Sequence, residues 1–448
     1  MLIAASLILA TITAPSTAQT APSIPPVDAP ELAKLGSIAV GTRMTSVTLP
    51  SAPTLTLAGA MSGTLEQRPR TLAVRLWYPA SATPGASAVR YSHALSTRNG
   101  KIADLVTPGI AIADAAPLQG HRYPLVVLSH GFGGWSESMS YLGENLASKG
   151  YIVAAIDHVD AAFTDATSFA LSFGNVVRDR ARDQRSVIAA LPTGKDPIAT
   201  LIDPTRIGLI GYSMGGFGAL ATAGATYDPA STTVIQIPAP GRAVLTTPDP
   251  VVAASVKAVV TIAPWGGQPA NRAWTPASLA AIRQPLLMIV GDSDDIVDYR
   301  QGARWIFDHL AASDHRLLLF QAARHNLGNN ATPTGLTTFQ GMDALVEPVW
   351  RGDRTNAINL HFITAFLDLT LKSDRSRAAY LDVPTPRAAD GDWPNVPGEQ
   401  IGAAFAGDAQ PKYWRGFQRR WALGLELTHV PAVQTATPAA AMTTPPTR

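Results

Sequence analysis

The chain has 448 residues, 46% hydrophobic and 15% charged, with a formal net charge of +2. That composition supplies a large core and excludes a disordered chain, and the lack of any basic run argues against a nucleic-acid partner. There is no cysteine, which removes disulfides, thiol nucleophiles and thiolate metal sites.

The N-terminal stretch MLIAASLILATITAPSTAQT is apolar from Leu2 to Ala14, with small residues Ser16 and Ala18. It reads as a signal peptide over residues 1–18, cleaved after Ala18, although no Lys or Arg precedes the apolar run. A secreted or periplasmic protein is expected. The rival, an uncleaved anchor, has too short a run to span a bilayer, and no other stretch is long and apolar enough to cross a membrane. Residues 19–36 are rich in Pro, Ala and Ser and read as a linker.

From Ile38 the pattern is β-type, and RTLAVRLWYPA (Arg70–Ala80) alternates as a strand does. A polar, irregular stretch is expected to about Arg122. YPLVVLSHGFGG (Tyr123–Gly134) is a short apolar run ending in glycines, as in a buried parallel strand. SMSYLGENLASKG reads as a helix stopped by Gly150, YIVAAIDH as a strand and RARDQRSVIAALPTG as a helix. Strand Arg206–Gly211 leads into a small-residue helix. VKAVVTIAPW, PLLMIVGDSDD and RLLLFQAARH are further strands, with a helix through Trp305 before the last. NAINLHFITAFLDLTLK is a long helix, and residues 430–448 read as a disordered low-complexity tail. Alternating strands and helices predict a mostly parallel sheet with helices on both faces, and a ligand site at the strands' carboxyl ends.

One serine sits between two glycines where a strand meets a helix: Gly211-Tyr212-Ser213-Met214-Gly215. A Ser hydroxyl is a poor nucleophile unless it is exposed, next to a base and facing oxyanion donors. A G-x-S-x-G turn supplies the exposure, the glycines letting strand and helix approach, and leaves the Met214 N–H at a helix N-terminus. An ordinary Gly-rich turn would show the same five residues; the flanking strand and helix favour the nucleophile. Gly216-x-Gly218-x-x-Ala221 starts too late after the strand to be a dinucleotide fingerprint.

Such an elbow requires an acid and then a histidine after later strands. His325 follows the last apolar run and is the candidate base; His309 and His315 precede that strand, and His361 lies within a helix. Asp292, Asp294, Asp295 and Asp298 follow the preceding strand, and spacing alone leaves Asp292 to Asp295 open as the acid. The loop Ser129–Gly134 offers the Phe132 N–H as second oxyanion donor.

With these elements the chain resembles the α/β hydrolases, and within them predicted dienelactone hydrolases and bacterial platelet-activating-factor-acetylhydrolase-like esterases. The matching residues are RTLAVRLWYPA, PLVVLSHGFGG, GYIVAAIDHVD, IGYSMGG and NAINLHFITAFLDLTLK, over roughly Gly36 to Lys372. In the acetylhydrolases the acid follows the strand after the elbow, where Ala263 stands here. The resemblance to bacterial cutinases instead implies an acid before a pair like Asp295-Ile296, namely Asp294, with Asp295 the alternative. It also implies that Phe132 and Trp265 flank the acyl group. The expected architecture is an α/β-hydrolase domain over 37–429 with cap-like insertions around 160–180, 225–255 and 330–355.

The expected function is an exported serine hydrolase that cleaves small carboxylic esters without cofactor or metal. Rivals are a cutinase-like polyester hydrolase, an exported peptidase or amidase, and a non-catalytic binding protein on the same fold.

Overall fold

The computed structural model describes residues 17–19, 24–97, 100–160, 165–237, 242, 245, 249–331, 336, 338–393 and 412–432. Most of the expected signal peptide and nearly all of the expected tail lie outside these residues.

The strands, in chain order, are β1 (Thr17–Gln19), β2 (Ala39–Thr54), β3 (Glu66–Ala80), β4 (Arg90–Thr97), β5 (Gly100–Pro108), β6 (Ile112–Ala113), β7 (Tyr123–Ser129), β8 (Ile152–Asp157), β9 (Ile202–Tyr212), β10 (Val256–Ile262), β11 (Leu286–Gly291), β12 (His315–Phe320) and β13 (Leu425–Val430). Ten of them form one sheet, ordered β13-β12-β11-β10-β9-β7-β8-β3-β2-β6. The six from β12 to β8 run parallel, while β3 and β13 flank them antiparallel. All seven residues of β7 and all six of β11 and of β12 are buried. Coverage on both faces explains why these strands read as unbroken apolar runs.

Five helices matter for the site: α1 (Ser140–Ser148), α2 (Ala166–Ala190), α3 (Met214–Thr222), α4 (Phe339–Leu345) and α5 (Gly352–Leu371). Helices α1 and α5 pack together on one face of the sheet, and α2 and α3 on the other. The chain leaves β7 for β8 on one side and returns to β9 on the other. The strand order therefore reverses at β7, and the crevice at such a point is where open α/β sheets bind ligands.

Four expectations are corrected. The stretch before Arg122 is not irregular: β4 and β5 form a hairpin, and β1, which includes the expected cleavage point, pairs with β5 to give a second, three-stranded sheet. The helix read from Arg180 begins at Ala166, capped by the Asp165 side chain on the Ser168 N–H. Most of 160–180 is thus the first turns of a core helix and not a separate insertion, although 161–164 lie outside the described residues. The described part of 225–255 includes the short helices Thr232–Ile235 and Pro250–Ser255, and its Tyr227 stacks on Trp274 beside Phe217. Strand β13 had no motif to announce it.

Candidate active site

Ser213 ends β9 at φ 52° and ψ −113°, a left-handed backbone that a non-glycine residue adopts only when its surroundings enforce it. The enforcement is visible. Its N–H donates to Ile262 O at 2.8 Å, and its carbonyl accepts from Phe217 N at 3.0 Å and Trp265 N at 3.2 Å. A side chain at Gly211 would collide with the Gly215 carbonyl, and one at Gly215 with the Ser129 carbonyl. The glycines therefore serve close approach, as the sequence suggested.

The Ser213 Oγ lies 3.0 Å from His325 Nε2, and His325 Nδ1 lies 2.8 Å from Asp294 Oδ2. The other Asp294 oxygen accepts the Ile296 and Val297 N–H groups, each at 3.0 Å. Asp294 Oδ2 can thus accept a hydrogen bond from His325 Nδ1–H, which leaves Nε2 to accept from the serine. The Asp294 side chain is fully buried and that of His325 is 14% exposed. Asp295, the alternative acid, turns away: it pairs with Arg324 at 3.0 Å on the surface. Asp292 accepts the Ala322 N–H and Asp298 caps the next helix at the Gln301 N–H.

The loop after β12 that bears His325 is anchored on three sides. Tyr212 donates its hydroxyl to His325 O at 3.1 Å, Asn359 donates to Leu327 O at 2.8 Å, and Asn330 donates to Glu137 O at 2.8 Å. His361 is buried and accepts the Leu32 N–H at 3.2 Å, so it has a core role.

The Ser213 hydroxyl opens into a cleft of about 410 Å³. Phe132 lies in the loop after β7, and Met214 follows Ser213 at the first position of α3. The first N–H of a helix has no intrahelical acceptor. Phe132 lines the cleft. Trp265 does not: it is 7% exposed and packs edge-on against Phe173 at 5.2 Å and Phe217 at 5.4 Å. Phe173 stands against both rings, 5.6 Å from Phe132 and 5.2 Å from Trp265, and like Trp265 it does not line the cleft, so of the expected two-ring wall only Phe132 faces it.

Residues without a motif complete the cleft: Leu95 from β4, Trp135, Arg324, Asp343 and Leu345. Trp135 follows Gly134 directly and stacks on His93 at 3.9 Å. Leu95, Leu336, Leu345 and Trp135 gather around buried Leu105 in a cluster apart from the main core. This cluster roofs the cleft, joining β4 and β5 to α4. Among the described residues, none from 225–255 lines the cleft. Among the described residues no group of three or more His, Asp or Glu could hold a metal ion, and no helix is long and apolar enough to cross a membrane.

A family model described as PETase, PET hydrolase-like, matches residues 116–240. The chain is 25% identical to cutinase 2 of Thermobifida cellulosilytica over 200 residues, 44% of this chain and 58% of that one. It is 25% identical to bis(hydroxyethyl) terephthalate hydrolase of Streptomyces coelicolor over 213 residues, 47% of this chain and 52% of that one. A short stretch of 48 residues is 50% identical to platelet-activating factor acetylhydrolase of Canis lupus familiaris, covering 10% of this chain and 11% of that one. The chain spans about half the length of the curated relatives it matches. A ferulic acid esterase structure from Streptomyces cinnamoneus superposes with a TM-score of 0.50 at 21% identity, over 88% of this chain and 96% of that one. The fold is that of the α/β hydrolases.

Proposed function

We propose that this α/β-hydrolase chain is an exported serine hydrolase that cleaves carboxylic esters. The observation behind the reading is the unbroken line from Ser213 through His325 to Asp294, at 3.0 and 2.8 Å, on a strained elbow at the floor of a cleft. Similarity to cutinases, to a terephthalate ester hydrolase and, over a short stretch, to an acetylhydrolase supports esters as the substrate class.

In this reading His325 takes the Ser213 proton as Oγ attacks the ester carbonyl. Asp294 holds the imidazole in the tautomer that can do so and stabilises the imidazolium that forms. The Phe132 and Met214 N–H groups receive the charge on the carbonyl oxygen. His325 then protonates the departing alcohol, and water attacks the acyl-enzyme by the same path in reverse. The roof from β4, β5 and α4 favours a small ester over a polymer. The cutinase and PET-hydrolase likeness supports the second reading, a polyester hydrolase with the same chemistry.

The test is kinetic. Wild type and Ser213→Ala are compared on p-nitrophenyl esters from acetyl to dodecanoyl, on bis(hydroxyethyl) terephthalate, on an amorphous polyester film and on an aminoacyl anilide. Turnover that falls with chain length and vanishes in Ser213→Ala is expected. Faster release from film than from soluble esters would favour the polyester reading; faster anilide cleavage, a peptidase. A folded wild type inert on every substrate would sink the enzyme reading.

A further inference from the structure

Helix α2 turns Arg180 and Gln184, four residues apart, toward the underside of the site. Arg180 is fully buried. Its Nη1 and Nη2 donate to Asp160 Oδ1 and Oδ2 at 2.7 and 2.6 Å, and Nη2 also donates to the Gly131 carbonyl at 3.0 Å. Asp160 Oδ2 in turn accepts the Gly133 N–H at 2.9 Å. Gly131 and Gly133 are the residues on either side of Phe132, so the arginine and its partner clamp the loop bearing the first candidate oxyanion donor.

Gln184 reaches both donor-bearing segments at once. Its Nε2 donates to Ser129 Oγ at 2.9 Å and to the Gly215 carbonyl at 2.9 Å. Ser129 ends the strand that leads to Phe132, and Gly215 follows Met214. Its Oε1 accepts from Thr222 Oγ1 at 2.8 Å, which fixes the amide orientation.

Behind this pair lies a second serine–histidine–aspartate line. Ser129 Oγ is 2.8 Å from His158 Nε2, and His158 Nδ1 is 2.9 Å from Asp183 Oδ2. Asp183 is held by Arg70 through two bonds, at 2.9 and 2.7 Å. Ser129, His158 and Asp183 are buried with at most 2% exposure, so no substrate reaches this serine and the line is not a second nucleophile. His158 also donates its backbone N–H to His130 Nε2 at 3.1 Å, leaving His130 Nδ1 to donate to the Gly131 carbonyl at 2.6 Å. The His130 ring must be neutral to accept that N–H through Nε2. Burial, with Arg180 nearby, pushes His130 down to about 4 and His158 well below its ordinary value.

A buried charge network of this extent adds little net stability, since desolvation offsets much of the attraction. What it does supply is fixed geometry, and it converges on the two segments whose N–H groups must point at one oxygen. We infer that Arg180 and Gln184 are positioning residues that set the spacing of the Phe132 and Met214 N–H groups, Arg180 through Gly131 and Asp160, and Gln184 by tying Ser129 to Gly215. The inference rests on the proposed roles of Ser213 and those two N–H groups.

Arg180→Lys keeps the charge for Asp160, but an ammonium lacks the planar fork that serves Asp160 and Gly131 together. Gln184→Met keeps the side-chain volume and removes both donated bonds. In each, kcat on p-nitrophenyl acetate should fall about 10–100-fold with KM within about threefold, as expected for a donor misplaced by a fraction of an ångström. Affinity for a trifluoromethyl ketone, whose serine adduct carries an oxyanion, should fall by the same factor. Tyr151→Phe removes a buried bond to Asp368 at the opposite end of the strands and should lower Tm without moving kcat or ketone affinity. Folded variants with kcat and ketone affinity within twofold of wild type would overturn the inference, as would Tyr151→Phe losing as much of both. A wild type that neither turns over the ester nor binds the ketone would strike the reading of Ser213 instead. Should Arg180→Lys fail to fold, Gln184→Met decides alone.

Discussion

Below Ser213 the protein is built from polar groups: Arg70, Arg180, Asp160, Asp183, His130, His158 and Gln184 interlock through bonds of 2.6–3.1 Å. Above it, Leu95, Leu105, Trp135, Leu336 and Leu345 meet in a small apolar cluster apart from the main core. On the proposed reading, the two halves of the site are bonded differently because they have different tasks. Oxyanion donors must hold position to within tenths of an ångström, which directional hydrogen bonds achieve. A roof must fit a substrate's apolar surface and can part from it, which non-directional apolar contact allows. Stiffness should therefore be a property of the floor and substrate range a property of the roof.

The sharpest break in that comparison lies within the floor. Asp294→Asn should lower kcat on p-nitrophenyl acetate by about 10⁴-fold, because the amide holds the wrong imidazole tautomer. Acid should also act on the buried histidines. His130 is pushed down to about 4, His361 to about 3 and His158 well below its ordinary value, each chiefly by burial. These groups stay neutral when folded and take up protons once unfolded, so stability falls as pH drops from about 6.5 toward 4. Asp157, raised to about 6 by burial and neighbouring carboxylates, works the opposite way over part of that window. His93 and His315 are lowered by burial as well, and Asp179 and Glu347 raised, so five histidines against three carboxyls set the sign and stability falls as pH drops toward 5. Guanidinium melts at pH 7, 6 and 5 measure the slope, and a flat profile would mean the histidines are charged in the fold.

Changes in the roof should be smaller and different in kind. Leu105→Asn places an amide in the cluster and should loosen it. The ratio of kcat/KM for dodecanoyl over acetyl esters should rise about 3–10-fold, while acetyl turnover itself changes little. An unchanged ratio would mean that the roof does not set the chain-length range. Smallest of all, Asp295→Asn removes a surface pair with Arg324 and should leave kcat/KM within about threefold, since such pairs are weak. Its contrast with Asp294→Asn tests the assignment of the acid.

The parts of the molecule legible in the sequence were those whose physics is local. Buried parallel strands show as apolar runs, and the elbow shows because two glycines are needed where Gly211 meets Gly215 and Gly215 meets Ser129. Asp294 was separable from Asp295 only by resemblance, because spacing cannot say which carboxylate turns inward. The roof was not legible. Leu95 and Leu345 lie 250 residues apart in sequence and have no motif; Asn99-Gly100 is a local hairpin signal, but the residues on either side of it are too polar to read as strands. Trp265 was placed at the cleft by analogy, but it packs behind Phe132 through Phe173, which lies on a helix read as starting later. The floor was equally hidden: Arg180 and Gln184 looked like ordinary helix residues until the fold brought Gly131 and Gly215 beneath them.

The central claim is that Ser213 is the nucleophile, and covalent capture tests it most directly. Purified protein is treated with a fluorophosphonate, and the adduct is located by peptide mass spectrometry beside Ser213→Ala. One stoichiometric adduct on the peptide containing Ser213, absent from the variant, is the predicted result. Folded wild type that takes no label, or label on another residue that persists in Ser213→Ala, would contradict it.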